Sequence, residues 1–332
     1  MYWIDHRGDD PALNLALEEV LLGRMKPGHP GFVMLWQNRP TVVVGRFQNA
    51  RGEINAAYVR EHGIAVVRRM TGGGAVYHDP GTLNYTFVRP LEQAGSFPTF
   101  GEAAAPVADA VRALGVPVTL SGRNDMMLNG RKVGGVAQCR RGGGFLHHGC
   151  ILVNADLDAL ALALDASPEK FQSKGVASVR ARVGNLADAR PLDAADVRAA
   201  LLARRDGPLY TPRDADMAEA RRLRDEKYAC PDWTYGVSPP FTERKTRRFS
   251  WGLVEALFEV RGGRVTGFRM YGDFFMVSPE GGLEDLEKSL IGLEYTPEAM
   301  RPVLAGFPLA GMFGGCDAAE LAAFLLPERV DP

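Results

Sequence analysis

One stretch in the first third of the chain combines two arginines, three glycines and a histidine–aspartate pair. It reads Arg68-Arg69-Met70-Thr71-Gly72-Gly73-Gly74-Ala75-Val76-Tyr77-His78-Asp79. Glycines lack a Cβ, so backbone N–H groups can approach a ligand closely, and the arginines can hold phosphate or carboxylate oxygens. A glycine run alone is more often a flexible turn, and no Gly-Lys-Ser/Thr follows it as in a Walker loop. The adjacent side chains of His78 and Asp79 point to opposite faces of a strand, so we expect structural roles for both.

Two further segments carry residues suited to a nucleotide and its metal ion. They are Gly122-Arg123-Asn124-Asp125 and Gly130-Arg131-Lys132-Val133-Gly134-Gly135-Val136-Ala137. The carboxylate of Asp125 is a hard oxygen ligand of the kind that magnesium prefers, and Asn124 can assist it. Lys132 stands just before a glycine pair, where its ammonium can reach a phosphate or carboxylate on the exposed backbone. Each piece alone is a weak signal, because Asn-Asp is common in turns and most lysines are solvated.

A histidine–cysteine segment and a basic segment follow. In His147-His148-Gly149-Cys150-Ile151-Leu152-Val153, His148 and Cys150 are two residues apart and therefore share one strand face. Cys150 is a candidate nucleophile, although a buried structural cysteine is the commoner case. The second segment, Lys174-Gly175-Val176-Ala177-Ser178-Val179-Arg180-Ala181-Arg182-Val183-Gly184-Asn185-Leu186, carries three cations that either rim an anionic site or form a solvated face.

The elements that position these residues are mostly short strands. Apolar residues at helical spacing after Asp10-Pro11 predict a helix over 11–25, and a second long helix is predicted over 100–114. The Asn129-Gly130 step predicts a hairpin. Strands are expected at 64–70, 75–78, 83–88, 116–121, 125–129, 131–138 and 145–153. Many of them adjoin through short turns, so we predict an α/β (α+β) protein with a mixed, mostly antiparallel sheet flanked by helices.

Composition and charge exclude several classes of protein. The 332 residues contain 39 Lys+Arg and 40 Asp+Glu, a net charge of -1 that gives no general attraction to nucleic acid or an anionic membrane. No stretch approaches the roughly 18 apolar residues of a membrane span, and the first residues lack the apolar core of a secretory signal. Four cysteines without a C-x-x-C pair predict reduced thiols and no zinc or redox pair. We expect a cytoplasmic protein.

The chain is predicted to contain two domains. Gly236-Val237-Ser238-Pro239-Pro240-Phe241 holds two prolines without helical periodicity, and a basic stretch follows it at 244–248. Such a segment is typical of a domain boundary. We therefore predict a large domain at 1–243 and a small α/β accessory domain at 248–332, with a hairpin around Gly262-Gly263.

Taken together and in this order, the four segments resemble the lipoate–protein ligase A family, in its bacterial form with a C-terminal accessory domain. The pattern is Arg-Arg-x-Ser/Thr-Gly-Gly-Gly-x-Val-x-His-Asp, Gly-Arg-Asn-Asp, Gly-x-Lys-x-x-Gly-x-Ala, His-His-Gly and Lys-Gly-x-x-Ser-Val-Arg-x-Arg-Val. The resemblance implies a biotin ligase-like catalytic fold related to class II aminoacyl-tRNA synthetases. It also implies two steps: lipoate and ATP give lipoyl-AMP and pyrophosphate, and a lysine of an acceptor protein then takes the lipoyl group and releases AMP.

The resemblance also implies roles for single residues. Lys132 is the expected central catalytic cation, and Asn124 and Asp125 are expected to serve ATP and, for Asp125, magnesium. His148 is expected near the lipoyl tail. The residues expected to bind lipoate or ATP are Arg69, Thr71, Gly72, Gly73, Gly74, Ala75, Asn124, Asp125, Lys132 and His148. The implied acceptors are lipoyl domains of 2-oxoacid dehydrogenase acyltransferase subunits or the glycine cleavage H protein, and a monomer is expected.

Three positions depart from the family pattern, and three rival functions remain. Thr82 stands where Asn is common, Val136 replaces Ser or Asn, and Cys150 replaces Thr or Ser, which puts acyl-chain preference in doubt. An octanoyl or lipoyl transferase on the same fold would use an acyl-cysteine upstream of the site lysine, but residues 118–129 contain no cysteine. A biotin ligase would share the fold without this glycine context, and a non-catalytic binding protein would not need Lys132.

Overall fold

The computed structural model describes residues 1–91, 99–121, 124–164, 182–236, 241–277 and 282–327 of the chain. They fall into two compact units. The first unit comprises Met1–Val44, Ala50–Arg69 and Ala75–Thr234, and the second comprises Gly45–Asn49, Met70–Gly74 and Tyr235–Pro332. Two short loops from the N-terminal part of the sequence therefore belong to the second unit.

The first unit is built on a sheet of seven strands in the order β1-β2-β6-β10-β9-β8-β7, beside a small sheet in the order β4-β3-β5. In the large sheet β1 and β2 are parallel and all other neighbours are antiparallel. The strands are β1 Tyr2–Asp5, β2 Phe32–Trp36, β3 Thr41–Val44, β4 Ala65–Arg68, β5 Val76–His78, β6 Thr82–Pro90, β7 Thr119–Ser121, β8 Asp125–Leu128, β9 Arg131–Arg141 and β10 Gly144–Leu152. The mixed, mostly antiparallel sheet predicted from the sequence is confirmed.

Helices flank this sheet, and local signals set their ends. The carboxylate of Asp10 accepts hydrogen bonds from the N–H groups of Ala12 and Leu13 at the start of the first helix. Thr99 and Glu102 form a capping box at the start of the fourth. The helices are α1 Pro11–Gly23, α2 Ala50–Glu53, α3 Ala56–Glu61, α4 Phe100–Ala113, α5 Leu157–Ala163, α6 Ala194–Ala203, α7 Asp214–Leu223 and α8 Pro231–Tyr235. Within the described residues no helix is both long and apolar enough to cross a bilayer.

The two faces of the seven-stranded sheet differ in chemistry. One face packs against α4 and α6 in an apolar core that includes Val33, Tyr85, Val136 and Ile151. The opposite face carries polar side chains, and its residue pairs include His148–Thr86 and Cys150–Asn84. Directly paired residues in a sheet point to the same side. The polar face is therefore the side on which ligand chemistry is available.

The second unit contains an antiparallel sheet of three strands in the order β11-β12-β13, with four helices after it in the sequence. Its buried core includes Trp251, Phe258, Phe274 and Phe313. The strands are β11 Glu243–Phe249, β12 Gly252–Arg261 and β13 Arg264–Gly272, and the helices are α9 Gly282–Leu290, α10 Pro297–Ala305, α11 Leu309–Met312 and α12 Ala318–Leu325. The hairpin predicted around Gly262-Gly263 joins β12 to β13.

Most elements agree with the sequence predictions, and the differences have physical causes. Asn129 and Gly130 have φ values of 49° and 77°, which is the turn geometry that Asn-Gly favours. The strand Tyr2–Asp5 was missed because it is too short to show an alternation. The strand Glu243–Phe249 was missed because its basic, exposed sequence resembles a linker, whereas it forms the edge of a sheet where charged residues are common.

His78 and Asp79 have separate structural roles, as their adjacency predicted. The Asn38 side chain donates to His78 Nδ1 at 3.1 Å, and burial lowers the pKa of His78 to about 3, so this ring stays neutral. Asp79 Oδ1 accepts the N–H of Gly81 at 2.9 Å, and Asp79 Oδ2 accepts the N–H of Asp156 at 2.7 Å. Asp79 thus joins the turn before β6 to the start of α5.

We predict that Asp79→Ala lowers the free energy of unfolding by about 2 kcal/mol, because the partly buried N–H groups of Gly81 and Asp156 lose their acceptor. Urea denaturation measures this change. Asp109→Ala is the matched control, since its ion pair with Arg112 lies on the surface and such pairs contribute little. Equal stability of the two variants would contradict the role assigned to Asp79.

Candidate functional site

A β-bulge in β9 sets the direction of the Lys132 side chain. Residues three apart on a regular strand point to opposite faces. Without an irregularity, Lys132 and Gly135 would therefore lie on opposite faces of the sheet. The register between β8 and β9 shifts, so that Met126 pairs with Gly134 but Met127 pairs with Lys132. The extra residue, Val133, is fully buried in the core. The bulge therefore turns Lys132 onto the face of Gly135, which is also the face of its partner Cys150.

The Lys132 ammonium lies between a carboxylate and a glycine. Its Nζ is 2.7 Å from Asp125 Oδ1, and both side chains are about one-third exposed. Asp125 pairs with Gly135 across the two strands. A Cβ on Gly135 would lie 3.0 Å from both Cε and Nζ of Lys132. The glycine thus leaves the space that the lysine side chain fills, and the carboxylate fixes the position of the ammonium.

Lys132 lines a cavity of about 260 Å³ in the first unit. The backbone of Gly134 and Gly135 forms part of its wall, so donors and acceptors of the main chain are accessible there. Most of the lining is apolar: Ala75, Val76, Tyr77, Cys150, Leu152, Leu160, Leu164 and Val183, with Arg182 as a second cation. A cavity with an apolar wall and cations can hold a molecule with a hydrocarbon chain and an anionic head.

A second, smaller cavity of about 90 Å³ shares Gly134, Gly135 and Cys150 with the first. Asn124 and Asp125 line it, and the Asn124 side chain donates to the carbonyl oxygen of Val136 at 3.2 Å. Lys132, Asp125, Asn124 and Ala75, which the sequence pattern grouped together, therefore line two cavities that share three residues.

The cavity wall also contains Cys150, whose thiol is not activated. Burial raises the pKa of this thiol, and the nearby charges of Lys132 and Arg69 oppose the shift only in part. Because the thiolate is the nucleophilic form, a raised pKa disfavours an acyl-cysteine intermediate at neutral pH. Cys139 and Cys316 are buried residues, Cys150 and Cys230 are partly exposed, and none of the four forms a disulfide.

A buried hydrogen-bonded network underlies His148. Its Nδ1 lies 2.9 Å from Glu18 Oε1, and the two side chains are 8% and 1% exposed. Glu18 also accepts from the hydroxyl of Thr86, which in turn accepts from the indole N–H of Trp36. The carboxylate on α1 therefore fixes the orientation of the imidazole on the polar face of the sheet.

Arg69 and the glycine triplet lie in different units. Arg69 is fully buried in the first unit, where its guanidinium donates to the carbonyl oxygen of Val43, and burial lowers its pKa to about 10. Thr71 to Gly74 belong to the second unit. A Cβ on Gly72 would overlap the carbonyl oxygen of Phe274, and the same oxygen accepts the N–H of Gly73 at 3.3 Å. Gly72 is thus required for packing against Phe274.

Part of the basic segment and of the Asn-Asp segment falls outside the described residues. This applies to Gly122 and Arg123 and to Lys174 through Ala181. Val183 forms an isolated bridge with Lys132, and the Gly184 N–H donates to the Lys132 carbonyl oxygen at 2.9 Å. The end of the basic segment is therefore hydrogen-bonded to β9 at Lys132.

Two features of the site were missed by sequence reasoning. Glu18 was not singled out, although Asn14 and Glu18 are polar residues four apart on an otherwise apolar helix face, which signals a buried network. The bulge at Val133 has no comparable signal beyond the glycine pair that follows it. Over the described ranges, no group of three or more His, Cys, Asp or Glu side chains could hold a metal ion.

Comparison with known proteins agrees with this geometry. Residues 10–204 match the family described as the lipoyl protein ligase A/B catalytic domain, and residues 238–325 match the bacterial lipoate protein ligase C-terminus. Lipoate–protein ligase 1 of Staphylococcus aureus strain Mu50 is 35% identical over 318 residues, covering 94% of this chain and 95% of that protein. Lipoate-protein ligase LplJ of Bacillus subtilis strain 168 is 35% identical over 324 residues, covering 95% and 96%.

Solved structures extend the comparison. LipL1 of P. falciparum, in complex with lipoate, shares the fold with a TM-score of 0.80 at 23% identity, covering 98% of this chain and 99% of that chain. A bipartite lipoate protein ligase of Thermoplasma acidophilum, studied with its E2 lipoyl domain, has a TM-score of 0.65 at 30% identity, covering 73% and 98%. A lipoate-protein ligase A bound with ATP has a TM-score of 0.61 at 27% identity, covering 71% and 99%.

Both units of the chain are accounted for by these matches. The catalytic-domain family covers more than half of the chain, and its bacterial C-terminal family covers most of the remainder. Two relatives at 35% identity span nearly the whole sequence. The chain therefore belongs to the family of lipoate–protein ligases, and it is an enzyme that joins lipoate to protein.

Proposed function

We propose that Lys132 is the catalytic cation of an ATP-dependent lipoate ligase. The observation that carries this proposal is the bulge that directs the Lys132 ammonium into the apolar cavity, beside Asp125 and over the backbone of Gly135. A carboxylate is a poor acylating agent, so the enzyme must bring it to the α-phosphate of ATP despite the repulsion of two anions. One fixed ammonium between them reduces that repulsion and stabilises the charge that develops.

The reaction then takes two steps. A lipoate oxygen attacks the α-phosphorus, the bond to the β-phosphate oxygen breaks, and pyrophosphate leaves. In the second step the amine of an acceptor lysine attacks the lipoyl carbonyl carbon, the bond to the AMP oxygen breaks, and an amide forms with loss of a proton. In both steps negative charge develops next to the acyl carbonyl, where the Lys132 ammonium stabilises it.

Apolar residues of the first unit would hold the lipoyl chain. Leu152, Leu160, Leu164 and Val76 all line the cavity. The network of Glu18, Thr86 and His148 would fix the imidazole near the tail of the acid. Arg69 and the residues Thr71 to Ala75 would complete the binding of lipoate and its adenylate.

Asn124 and Asp125 would serve ATP and a magnesium ion. Asp125 Oδ1 is buried and accepts no aligned hydrogen bond among the described residues, although Lys132 lies 2.7 Å away. Magnesium in nucleotide sites is commonly held by one or two carboxylates together with the substrate phosphates. One carboxylate with Asn124 beside it fits that use, and the ion would neutralise phosphate charge.

The acceptor would be a lipoyl domain of a 2-oxoacid dehydrogenase acyltransferase subunit or the glycine cleavage H protein. The study of the archaeal ligase with its E2 lipoyl domain supports this class of partner. We further propose a monomer with a catalytic domain at 1–243 and an accessory domain at 248–332. Four unpaired cysteines and a reaction that consumes ATP support a place in the cytoplasm.

We predict that Lys132→Ala lowers lipoate-dependent pyrophosphate release by about 10²-fold or more, because no other group replaces the fixed ammonium. A coupled pyrophosphate assay with lipoate and ATP measures this rate. Lys288→Ala, at an exposed position on α9, is the control and keeps the wild-type rate. A Lys132→Ala enzyme with full activity would refute the proposed role.

Gly135→Ala should lower the same rate about tenfold or more, since the new methyl group would displace the Lys132 ammonium from Asp125. The matched control is Gly311→Ala, where a Cβ meets no atom within 4 Å. Thermal unfolding of both variants separates loss of chemistry from loss of fold. Normal turnover in Gly135→Ala would show that the position of the ammonium is not critical.

A third prediction distinguishes the ligase from an acyl-cysteine transferase. Cys150→Ser should keep most ligase activity, because burial raises the pKa of the thiol and disfavours the nucleophilic thiolate. Near-total loss would support an acyl-cysteine route. The ligase reaction itself would be excluded if the wild-type protein modified a lipoyl domain from octanoyl-carrier protein but not from free acid and ATP.

A further inference from the structure

The first unit carries a second depression, lined by basic and aromatic residues. It is an open cavity of about 600 Å³ at the start of β1 and β2 and the end of α1. We call five of its lining residues, which are exposed or partly exposed, together with the neighbouring exposed Leu209 the basic–aromatic patch: Tyr2, Arg24, Lys26, Leu209, Tyr210 and Arg213. None of these residues lines either cavity of the ligase site.

The patch has a net positive charge that the chain itself does not neutralise. Arg24 and Arg213 both bind the carboxylate of Asp216, which is 2% exposed. The hydrogen bond from Arg213 lowers the pKa of Asp216, so this carboxylate stays ionised and balances only one of the two arginines. Lys26 is exposed and has no ion-pair partner within the described ranges. Glu219 also attracts Arg24 but is ion-paired with Arg222. The charge of Lys26 and part of the charge of the two arginines therefore remain for a partner.

Apolar and aromatic groups adjoin these cations. The ring centroids of Tyr2 and Tyr210 lie 5.4 Å apart. Backbone hydrogen bonds tie residues 208–210 to Trp3, with the Tyr210 N–H donating to the Trp3 carbonyl oxygen at 2.7 Å. This pairing places the Leu209 side chain at the surface, where it is 59% exposed. Leu209 is one of three large apolar residues that are exposed in the described part of the chain. The patch is therefore ordered before any partner binds.

The patch lies on the same side of the sheet as the ligase site. Tyr2 pairs with Phe32 on neighbouring strands, and Phe32 is an even number of residues from Trp36. Trp36 pairs with Asn84, which pairs with Cys150 in the wall of the larger cavity. Four residues along a strand and three strand spacings across the sheet separate Tyr2 from Cys150, which is roughly 20 Å. One globular domain, about 30 Å across, can reach both.

We propose that the basic–aromatic patch docks an acidic surface of the acceptor protein, with an apolar side chain of that protein against Leu209. This inference rests on the proposed ligase function. Tyrosine and arginine are the side chains that most often dominate binding energy at protein interfaces, and complementary charge speeds association. A free phosphate-bearing molecule would account for the cations but would leave Leu209 unused. The observations therefore favour a protein partner.

The test measures acceptor kinetics in Lys26→Glu and Leu209→Ser, two exposed positions where substitution leaves the buried Asp216 cluster intact. With a purified apo lipoyl domain as acceptor, each variant should raise KM about five- to twentyfold, with kcat at saturating acceptor unchanged. Pyrophosphate release from lipoate and ATP without acceptor should keep the wild-type rate. Arg301→Glu, an exposed position in the second unit with the same change in charge, is the control.

Salt provides a second measurement. Wild-type KM should rise with ionic strength, and the Lys26→Glu variant should show a weaker dependence. An unchanged KM for the acceptor in both variants would overturn the proposal. If Lys26→Glu then weakened only the binding of inorganic phosphate, measured by calorimetry, the patch would be a site for small anions and not for the acceptor. Absence of lipoate-dependent pyrophosphate release in the wild-type protein would instead overturn the ligase function.

Discussion

The placement of one ammonium group decides how the rest of the site is built. Lys132 Nζ lies 2.7 Å from Asp125, and the absence of a side chain at Gly135 leaves room for it. A lysine on a regular strand at this position would point into the apolar core, where an unpaired charge is costly. The bulge at Val133 places the buried valine in the core and the lysine in the cavity. The burial of Val133 and the direction of the Lys132 side chain both depend on this local irregularity.

The two faces of the seven-stranded sheet carry different kinds of side chain, because an unpaired charge is costly in the apolar core. Helices α4 and α6 cover the face that contains the large apolar core, which leaves the opposite face for polar groups. On that side α1 supplies Glu18, whose carboxylate would be costly to bury without the partners it has in His148 and Thr86. The side chains of Lys132, Asp125 and His148 thus lie on one side of the sheet, where ion pairs and hydrogen bonds hold them.

The sequence predicted the fold class, and the residues it assigned to the ligase chemistry stay predictions. It did not predict the contacts that position those residues. Alternation and turn residues predicted the hairpin at Asn129-Gly130, because those signals are local. The partners Glu18 and His148 are far apart in the sequence, so no local pattern joins them. The glycine triplet was predicted to bind lipoate or ATP, and that role stays a prediction. The structure adds that Gly72 packs on Phe274, a long-range contact that the motif does not contain.

The bulge has a consequence for how this strand can vary through insertion and deletion. Met126 pairs with Gly134 and Met127 pairs with Lys132, so the loss of Val133 alone would restore the regular pleat and leave the other residues of β9 on their present faces. The lysine would still be directed to the polar face, and the apolar core would lose one buried side chain. The strand can therefore shorten by one residue at this point without turning the lysine, at a cost in core packing.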